Sequence, residues 1–146
     1  MKFVIQRVHK SAVLVHGQTI GAIEKGLLVL VGIQRGDTKE DARWMSRKVL
    51  DMRIFEDADG KMNRSVRDVN GALLLVPNFT LYADASKGNR PGFSEAEKPT
   101  KARKLYRTLV QQLTERTKLT VETGEFGADM DVSLVNDGPV TIILEK

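Results

Sequence analysis

Residues 27–31 and 72–76 are built only from Leu, Val and Ala, and neither run carries a polar or charged side chain. A strand wet on one face alternates apolar and polar residues, whereas a strand covered on both faces reads as an unbroken apolar run. These two stretches therefore belong at the centre of a sheet. Pro77 ends the second run, because it has no N–H to give a central ladder and forces the strand to stop, bulge or reach an edge. Around this pair, residues 3–8, 12–15 and 19–23 read as short strands. His16-Gly17 and Lys25-Gly26 mark turns between them, so the spacing predicts a β-meander up to residue 33.

Two helices are written into the remainder. Thr38 opens the first, with Asp41 at capping-box spacing and Ala42, Met45 and Val49 recurring every three or four residues to an end near Leu50. Pro99 sits where the first turn of the second would be, followed by Ala102, Leu105, Tyr106, Leu109, Val110 and Leu113 on one face. Residues 52–55 read as a short strand, and residues 56–61 as an acidic turn lacking the twelve-residue pattern of a calcium loop. Three strands close the chain at 119–123, 130–135 and 140–144. The expectation is an α+β fold in a single domain over residues 1–146, with a curled or barrel-like sheet of about eight strands and two helices.

Composition narrows the function classes. The 146 residues suit one core, 41% hydrophobic and 29% charged content is ordinary for a globular protein, and there is no cysteine. Disulfides, thiolate metal sites and cysteine nucleophiles are excluded together. No apolar run approaches the roughly 20 residues of a membrane helix. The first residues alternate like a strand rather than a signal peptide, so a cytoplasmic location is expected. The net charge of +4 is unevenly placed: residues 87–107 hold Lys87, Arg90, Lys98, Lys101, Arg103, Lys104 and Arg107 against only Glu95 and Glu97. Such a field suits a polyanion such as RNA, and equally describes a solvated helix face. The only histidines, His9 and His16, lie in the first hairpin and read as surface or edge positions. No zinc cluster and no glycine-rich phosphate loop is visible, so neither metal nor cofactor is expected.

Chemistry concentrates after the second central strand. Asn78, Phe79 and Thr80 leave it with an amide, a ring and a hydroxyl. Lys87-Gly88-Asn89-Arg90-Pro91 is a surface loop of cations and turn formers, with Phe93 placed to pin it to the core. Read by pattern alone, Thr80 fills a strand, Phe79 fills the core, and Gly138-Pro139 is a tight turn between closing strands.

These blocks carry a resemblance. Phe79-Thr80-Leu81, Lys87-Gly88-Asn89-Arg90-Pro91 and Asn136-Asp137-Gly138-Pro139-Val140-Thr141, together with Gln6-Arg7-Val8, resemble the signature blocks of the D-aminoacyl-tRNA deacylases. The likeness spans essentially the whole chain. Departures are Pro77-Asn78, where the family usually has Ser-Gln, and Gly92, where it has Ser. The resemblance implies a homodimeric hydrolase, without cofactor, that cleaves the ester of D-aminoacyl-tRNA and also clears mischarged glycine as a proofreading step in translation. It implies a catalytic corner at Asn78, Phe79 and Thr80, where main-chain N–H groups cradle an oxyanion. It implies a cis Gly138-Pro139 element that enters the partner subunit's pocket and excludes L side chains. Arg7 would orient the Gly-Pro carbonyls, Met130 would line the pocket, and Lys87, Arg90, Lys101, Lys104 and Arg107 would hold the tRNA. Two alternatives stay open: an editing deacylase for a wrong L-aminoacyl-tRNA, told apart by a preference for L-seryl-tRNA, and a noncatalytic RNA-binding protein.

Overall fold

A computed structural model describes residues 1–146. Strands β1 (Lys2–Val15), β2 (Gln18–Ile23) and β3 (Gly26–Gly32) come first, followed by helix α1 (Lys39–Asp51). A small hairpin of β4 (Phe55–Glu56) and β5 (Met62–Arg64) precedes β6 (Ala72–Pro77) and a 3-10 turn at Phe79–Tyr82. Helix α2 (Pro99–Arg116), β7 (Val121–Thr123) and β8 (Asp131–Glu145) complete the chain. No helix is long and apolar enough to cross a membrane.

The main sheet runs β2-β1-β3-β6-β7, with β8 on the other edge of β1, and it curls into a nearly closed barrel. β6 lies parallel to β3 and to β7, and the other pairings are antiparallel. The expected α+β architecture with two helices is present; the meander is not. β3 pairs with β1 rather than β2, because the chain advances through Glu24 and Lys25 without reversing. Ile23 faces Ser11 and Gly26 faces Val8, so β2 and β3 follow one another along the same edge of β1.

Two further expected breaks are also continuous strands. β1 runs through the polar His9 and Lys10, absorbing them as an irregularity in register. β8 spans both closing segments and pairs with β1 from end to end, so Gly138-Pro139 is not a turn between strands. Thr141 faces Gln6 while Asn136 faces Val8, which leaves residues 137–140 as an outward excursion from one strand.

The both-faces reading of the apolar runs explains the layering. Leu27, Val29 and Val31 with Leu73 and Leu75 face a large core shared with both helices. Leu28, Leu74 and Val76 face the opposite way, into a smaller core with Val8, Val13 and Ile23. Burying each such side chain contributes roughly 1.5–3 kcal/mol, so β3 and β6 are fixed from both sides. α1 begins with the full capping box: the Thr38 Oγ1 accepts the Asp41 N–H at 3.2 Å, while Asp41 Oδ2 accepts the Thr38 N–H at 2.9 Å. α2 carries Pro99 at its first turn and buries Ala102, Leu105, Tyr106, Leu109 and Leu113. The acidic turn is tied by its own amides, with Asp57 Oδ1 accepting the Asp59 and Lys61 N–H groups at 2.9 Å each.

Candidate active site

β6 ends at Pro77, and the next residue is anchored by its own backbone. The Asn78 N–H donates to the Val31 carbonyl at 2.8 Å, extending the junction with β3 by one bond. Its side chain then caps the following turn: Asn78 Oδ1 accepts the Thr80 N–H at 3.2 Å and also the Thr80 hydroxyl. This is an Asx-type cap, the use short amides find at helix starts. The turn lies tight against β3 because Gly32 lacks a side chain, and a Cβ there would stand 3.0 Å from Leu81 Cβ. From below, the buried Tyr106 hydroxyl donates to the Leu75 carbonyl at 2.9 Å. Burial pushes that phenol well above its ordinary pKa, so it stays a neutral donor.

Phe79 does not fill the core, as pattern alone would have it; the residue is 59% exposed. Phe93 meets it edge-on at 5.0 Å, so the 84–92 loop is pinned to Phe79 at the surface rather than to the core. The loop is closed by Asp84 and Gly92, whose main chains exchange two hydrogen bonds of 2.8 Å. Donation from Ser86 holds the Asp84 carboxyl below the usual carboxylate range.

Two cavities flank Phe79. One, of about 440 Å³, is mainly apolar and is walled by Ile33, Pro77, Asn78, Phe79, Phe93, Ala102 and Phe126, with Arg35 and Glu97 at its polar side. The other, of about 330 Å³, is lined by Leu30, Val76, Asn78, Phe79, Asp129 and Met130. Asn78 and Phe79 thus form the ridge between them. No side chain accepts from the Phe79 N–H, whereas the Thr80 N–H is already held by Asn78.

Gly138 and Pro139 stand elsewhere, on the excursion from β8, and line neither cavity beside Phe79. Their peptide bond is cis, and Gly138 has φ +131°. A Cβ on Gly138 would fall 2.8 Å from Val140 Cγ2 and 2.9 Å from Val140 N. Arg7, only 4% exposed, braces the excursion from inside. Its Nε donates to the Asp137 carbonyl at 3.1 Å and pairs with the Asp137 carboxylate at 3.1 Å, while another nitrogen donates to the Ile54 carbonyl at 2.8 Å. The guanidinium therefore grips the residue before the Gly-Pro pair, not the carbonyls of that pair.

The model of the D-Tyr-tRNA(Tyr) deacylase family matches residues 4–145. The chain belongs to that family. D-aminoacyl-tRNA deacylases of Chlorobaculum tepidum and Halalkalibacterium halodurans are 58% and 56% identical to it over 146 residues, which is all of this chain and 97% and 99% of theirs. Among solved structures, one described as the c-Myc DNA Unwinding Element Binding Protein superposes with a TM-score of 0.95 at 42% identity, covering 100% of this chain and 99% of that one. A probable eukaryotic D-amino acid tRNA deacylase shares the fold with a TM-score of 0.83 at 17% identity, over 98% and 97% of the two chains.

Within this deacylase-family chain the basic residues fall into three settings. Lys87 and Arg90 ride the exposed 84–92 loop. Lys101 is engaged at 2.7 Å by Glu97, whose carboxyl is held below its usual range first by that bond and then by the Lys98 N–H. Lys104 and Arg107 line a polar groove along α2 together with Arg103. Sequence reasoning counted Arg103 only as one charge of the basic strip and Asn136 only as part of the last signature block, and assigned no role to Phe126. Asn136 matters locally: its amide accepts the Val140 N–H at 2.8 Å and donates to the Val140 carbonyl at 3.2 Å, closing the neck of the excursion. It also donates to the Gln6 side-chain oxygen, which accepts the Thr141 hydroxyl at 2.7 Å. An Asn four residues before a partner across a Gly-Pro kink was the available signal, since short amides satisfy backbone at such sites.

Proposed function

We propose that this protein hydrolyses the ester linking a D-amino acid to tRNA, releasing free D-amino acid and tRNA. The carrying observation is the Asn78–Thr80 corner at the end of β6, open to two cavities and free of any titratable side chain on its own three residues. Such a corner offers main-chain N–H groups to a developing oxyanion, and one donor of this kind contributes roughly 3 kcal/mol to lowering the barrier. That suffices only for a bond already reactive, and an aminoacyl ester on a ribose is one. The Phe79 N–H is the available donor in the free protein. The Thr80 N–H joins it when the Asn78 cap yields. The terminal adenosine lies against residues 76–82, and its own ribose 2′-hydroxyl assists the attacking water.

Chirality is read by a second copy of the chain. Gly138 and Pro139 do not reach the cavities of their own subunit, and β8 leaves an open edge with Val135 and Ile143 exposed. A cytoplasmic homodimer that exchanges the two excursions puts main-chain oxygens beside the substrate's α-carbon, where an L side chain collides and a D side chain points away. Glycine cannot be excluded by such a device, so mischarged glycyl-tRNA is hydrolysed as well, in keeping with a proofreading role. Residues 1–146 act as one domain.

The 42% identical structure described as a DNA-element binding protein favours a second reading, nucleic-acid binding without chemistry. A deacylation assay on D-tyrosyl-, L-tyrosyl- and glycyl-tRNA separates the two. The deacylase reading expects turnover of the D and glycyl substrates and little of the L substrate; rates equal to the protein-free control would eliminate it.

A further inference from the structure

Asp137, the residue before Gly138, is met by two side chains of β1. Arg7 Nε lies 3.1 Å from Asp137 Oδ2, while Asp137 Oδ1 accepts from Arg7 Nη2 at 3.4 Å and stands 3.5 Å from His9 Nε2. Arg7 does not serve Asp137 alone. Its guanidinium also donates to the Ile54 carbonyl at 2.8 Å, and Nη2, the nitrogen that reaches Oδ1, is 3.8 Å from the Glu56 carboxylate on β4. Two carboxylates thus share one permanent cation. Lys25 is the other cation on this side, but it lies 6.0 Å from the centre of the Phe55 ring, as the Arg7 guanidinium does, and pairs with neither acid. The positive charge that would balance the group is the one a protonated His9 supplies.

We propose that His9 is a positioning residue for the Gly138-Pro139 element and a determinant of D-over-L selectivity, its imidazole giving the Asp137 carboxylate a second partner beside Arg7. With Arg7 alone, Oδ1 keeps one long bond to a nitrogen that Glu56 also attracts, and the carboxylate turns toward solvent. With His9 engaged, both oxygens are held, and the direction in which Gly138 leaves Asp137 is held with them. The clamp tightens as the imidazole takes a proton, which histidine does between about pH 8 and pH 5. A discriminator that works by collision admits the wrong substrate when it loosens, before it loses the right one. Loss of His9 therefore raises L-tyrosyl turnover and leaves D-tyrosyl turnover nearly as it was. The effect on selectivity rests on the deacylase reading; the clamp itself does not.

Selectivity is read as the ratio of single-turnover rates of the full chain on D-tyrosyl- and L-tyrosyl-tRNA, each corrected for protein-free hydrolysis, at about pH 6 and about pH 8. In the unsubstituted protein the ratio should be about two- to fivefold higher at the lower pH, the range an exposed ion pair supports. His9→Val should lose that gain and stay at the low ratio at both pH values. His9→Gln, whose amide keeps a neutral donor near the place of Nε2, should be intermediate and insensitive to pH. His16→Asn, which removes the histidine of the β1–β2 turn, should respond as the unsubstituted protein does. The clamp is also read without substrate, from the relaxation of the Gly138 amide at the lower pH, whose order parameter should fall in His9→Val. A pH response that survives in His9→Val, or a Gly138 amide equally rigid in both proteins, would overturn the proposal. Should Gly138 loosen in His9→Val while the unsubstituted protein cleaves neither ester, the deacylase reading fails and the clamp stands.

Discussion

Asn78 holds Thr80 twice, its Oδ1 accepting both the Thr80 N–H, at 3.2 Å, and the Thr80 hydroxyl. The hydroxyl is therefore committed to a cap and has no base beside it, which is not how a nucleophile is prepared. The consequence separates two roles that the family motif leaves together. The hydroxyl steadies the corner, and the main chain performs the stabilisation.

Replacing Thr80 by Ala keeps the backbone N–H and removes only one of the two bonds to Asn78. The chemical step should slow by less than about tenfold. Asn78→Ala releases the Thr80 N–H but removes the cap that orders the corner, so the main-chain donors are no longer held in place; a loss equal to one placed donor, roughly 3 kcal/mol, corresponds to about a hundredfold. Single-turnover hydrolysis of D-tyrosyl-tRNA measures both. If Thr80→Ala abolished the chemical step while tRNA binding stayed intact, the hydroxyl itself would be the reacting group.

Gly138→Ala faces two obstacles. At φ +131° the residue lies where L side chains are strained by on the order of 1–3 kcal/mol. The new methyl would also meet Val140 Cγ2 at 2.8 Å. The excursion has to shift outward, so turnover of D-tyrosyl-tRNA should fall by two orders of magnitude or more. Thermal unfolding should move by only a few degrees, since the segment is exposed. Activity equal to that of the unsubstituted protein would remove Gly138 from the discriminating role.

Arg7→Lys tests whether the brace or only its charge matters. A lysine keeps the cation but cannot reach the Asp137 carbonyl, the Asp137 carboxylate and the Ile54 carbonyl together. Leaving one buried carbonyl unpaired costs about 1–3 kcal/mol, so the melting temperature should fall. The ratio of D- to L-tyrosyl-tRNA turnover should fall with it as Asp137 loosens. A variant less stable but equally selective would show that Arg7 supports the fold and not the discriminator.

Asn136→Ala removes both bonds to Val140 and the one to Gln6, yet deletes nothing that touches the proposed substrate. If the neck sets how far Gly138 and Pro139 project, glycyl- and D-tyrosyl-tRNA turnover should drop together, by tenfold or more. Asn136→Asp, which keeps the acceptor for the Val140 N–H, should recover part of it. Equal behaviour of the two variants would leave the amide without a positioning role.

The periods of the chain told more than its breaks. Residues 27–31 and 72–76 declare strands buried on both faces, and Leu27 and Leu28 indeed enter different cores. Thr38 with Asp41, and Pro99 with the Ala102 to Leu113 stripe, mark helix starts that local chemistry alone determines. What local chemistry cannot express is connectivity. His9 and Lys10 look like a loop because they are polar, but Lys10 pairs with Val135 of β8, from the far end of the chain, and His9 is taken up in the shift of register beside it. Gly138-Pro139 looks like a turn because Gly and Pro usually reverse a chain; whether it reverses or bulges depends on β1 continuing beneath it. Arg103 was visible as charge, and only the fold shows that its exposed guanidinium lies over the Phe126 ring.

The capping box of α1 makes Asp41 one of the carboxylates that link stability to acid pH. Donation first from the Thr38 hydroxyl and then from its N–H holds the Asp41 carboxyl below its ordinary value of 3.8. A depressed folded pKa means that the unfolded chain binds the proton more tightly, so stability rises with pH through this range. The contribution is fully present above the unfolded value and is lost as the pH falls through the folded one. Melting temperature should therefore hold level near neutrality and decline in acid, below the usual carboxylate range. Asp41→Asn keeps an acceptor for the Thr38 N–H but no longer titrates. It should melt slightly lower at pH 7, by an amount on the order of 0.5–1 kcal/mol for a weakened cap, and should decline less steeply in acid. Parallel curves for the two proteins would show that Asp41 contributes no proton linkage and that the acid loss arises at other carboxylates.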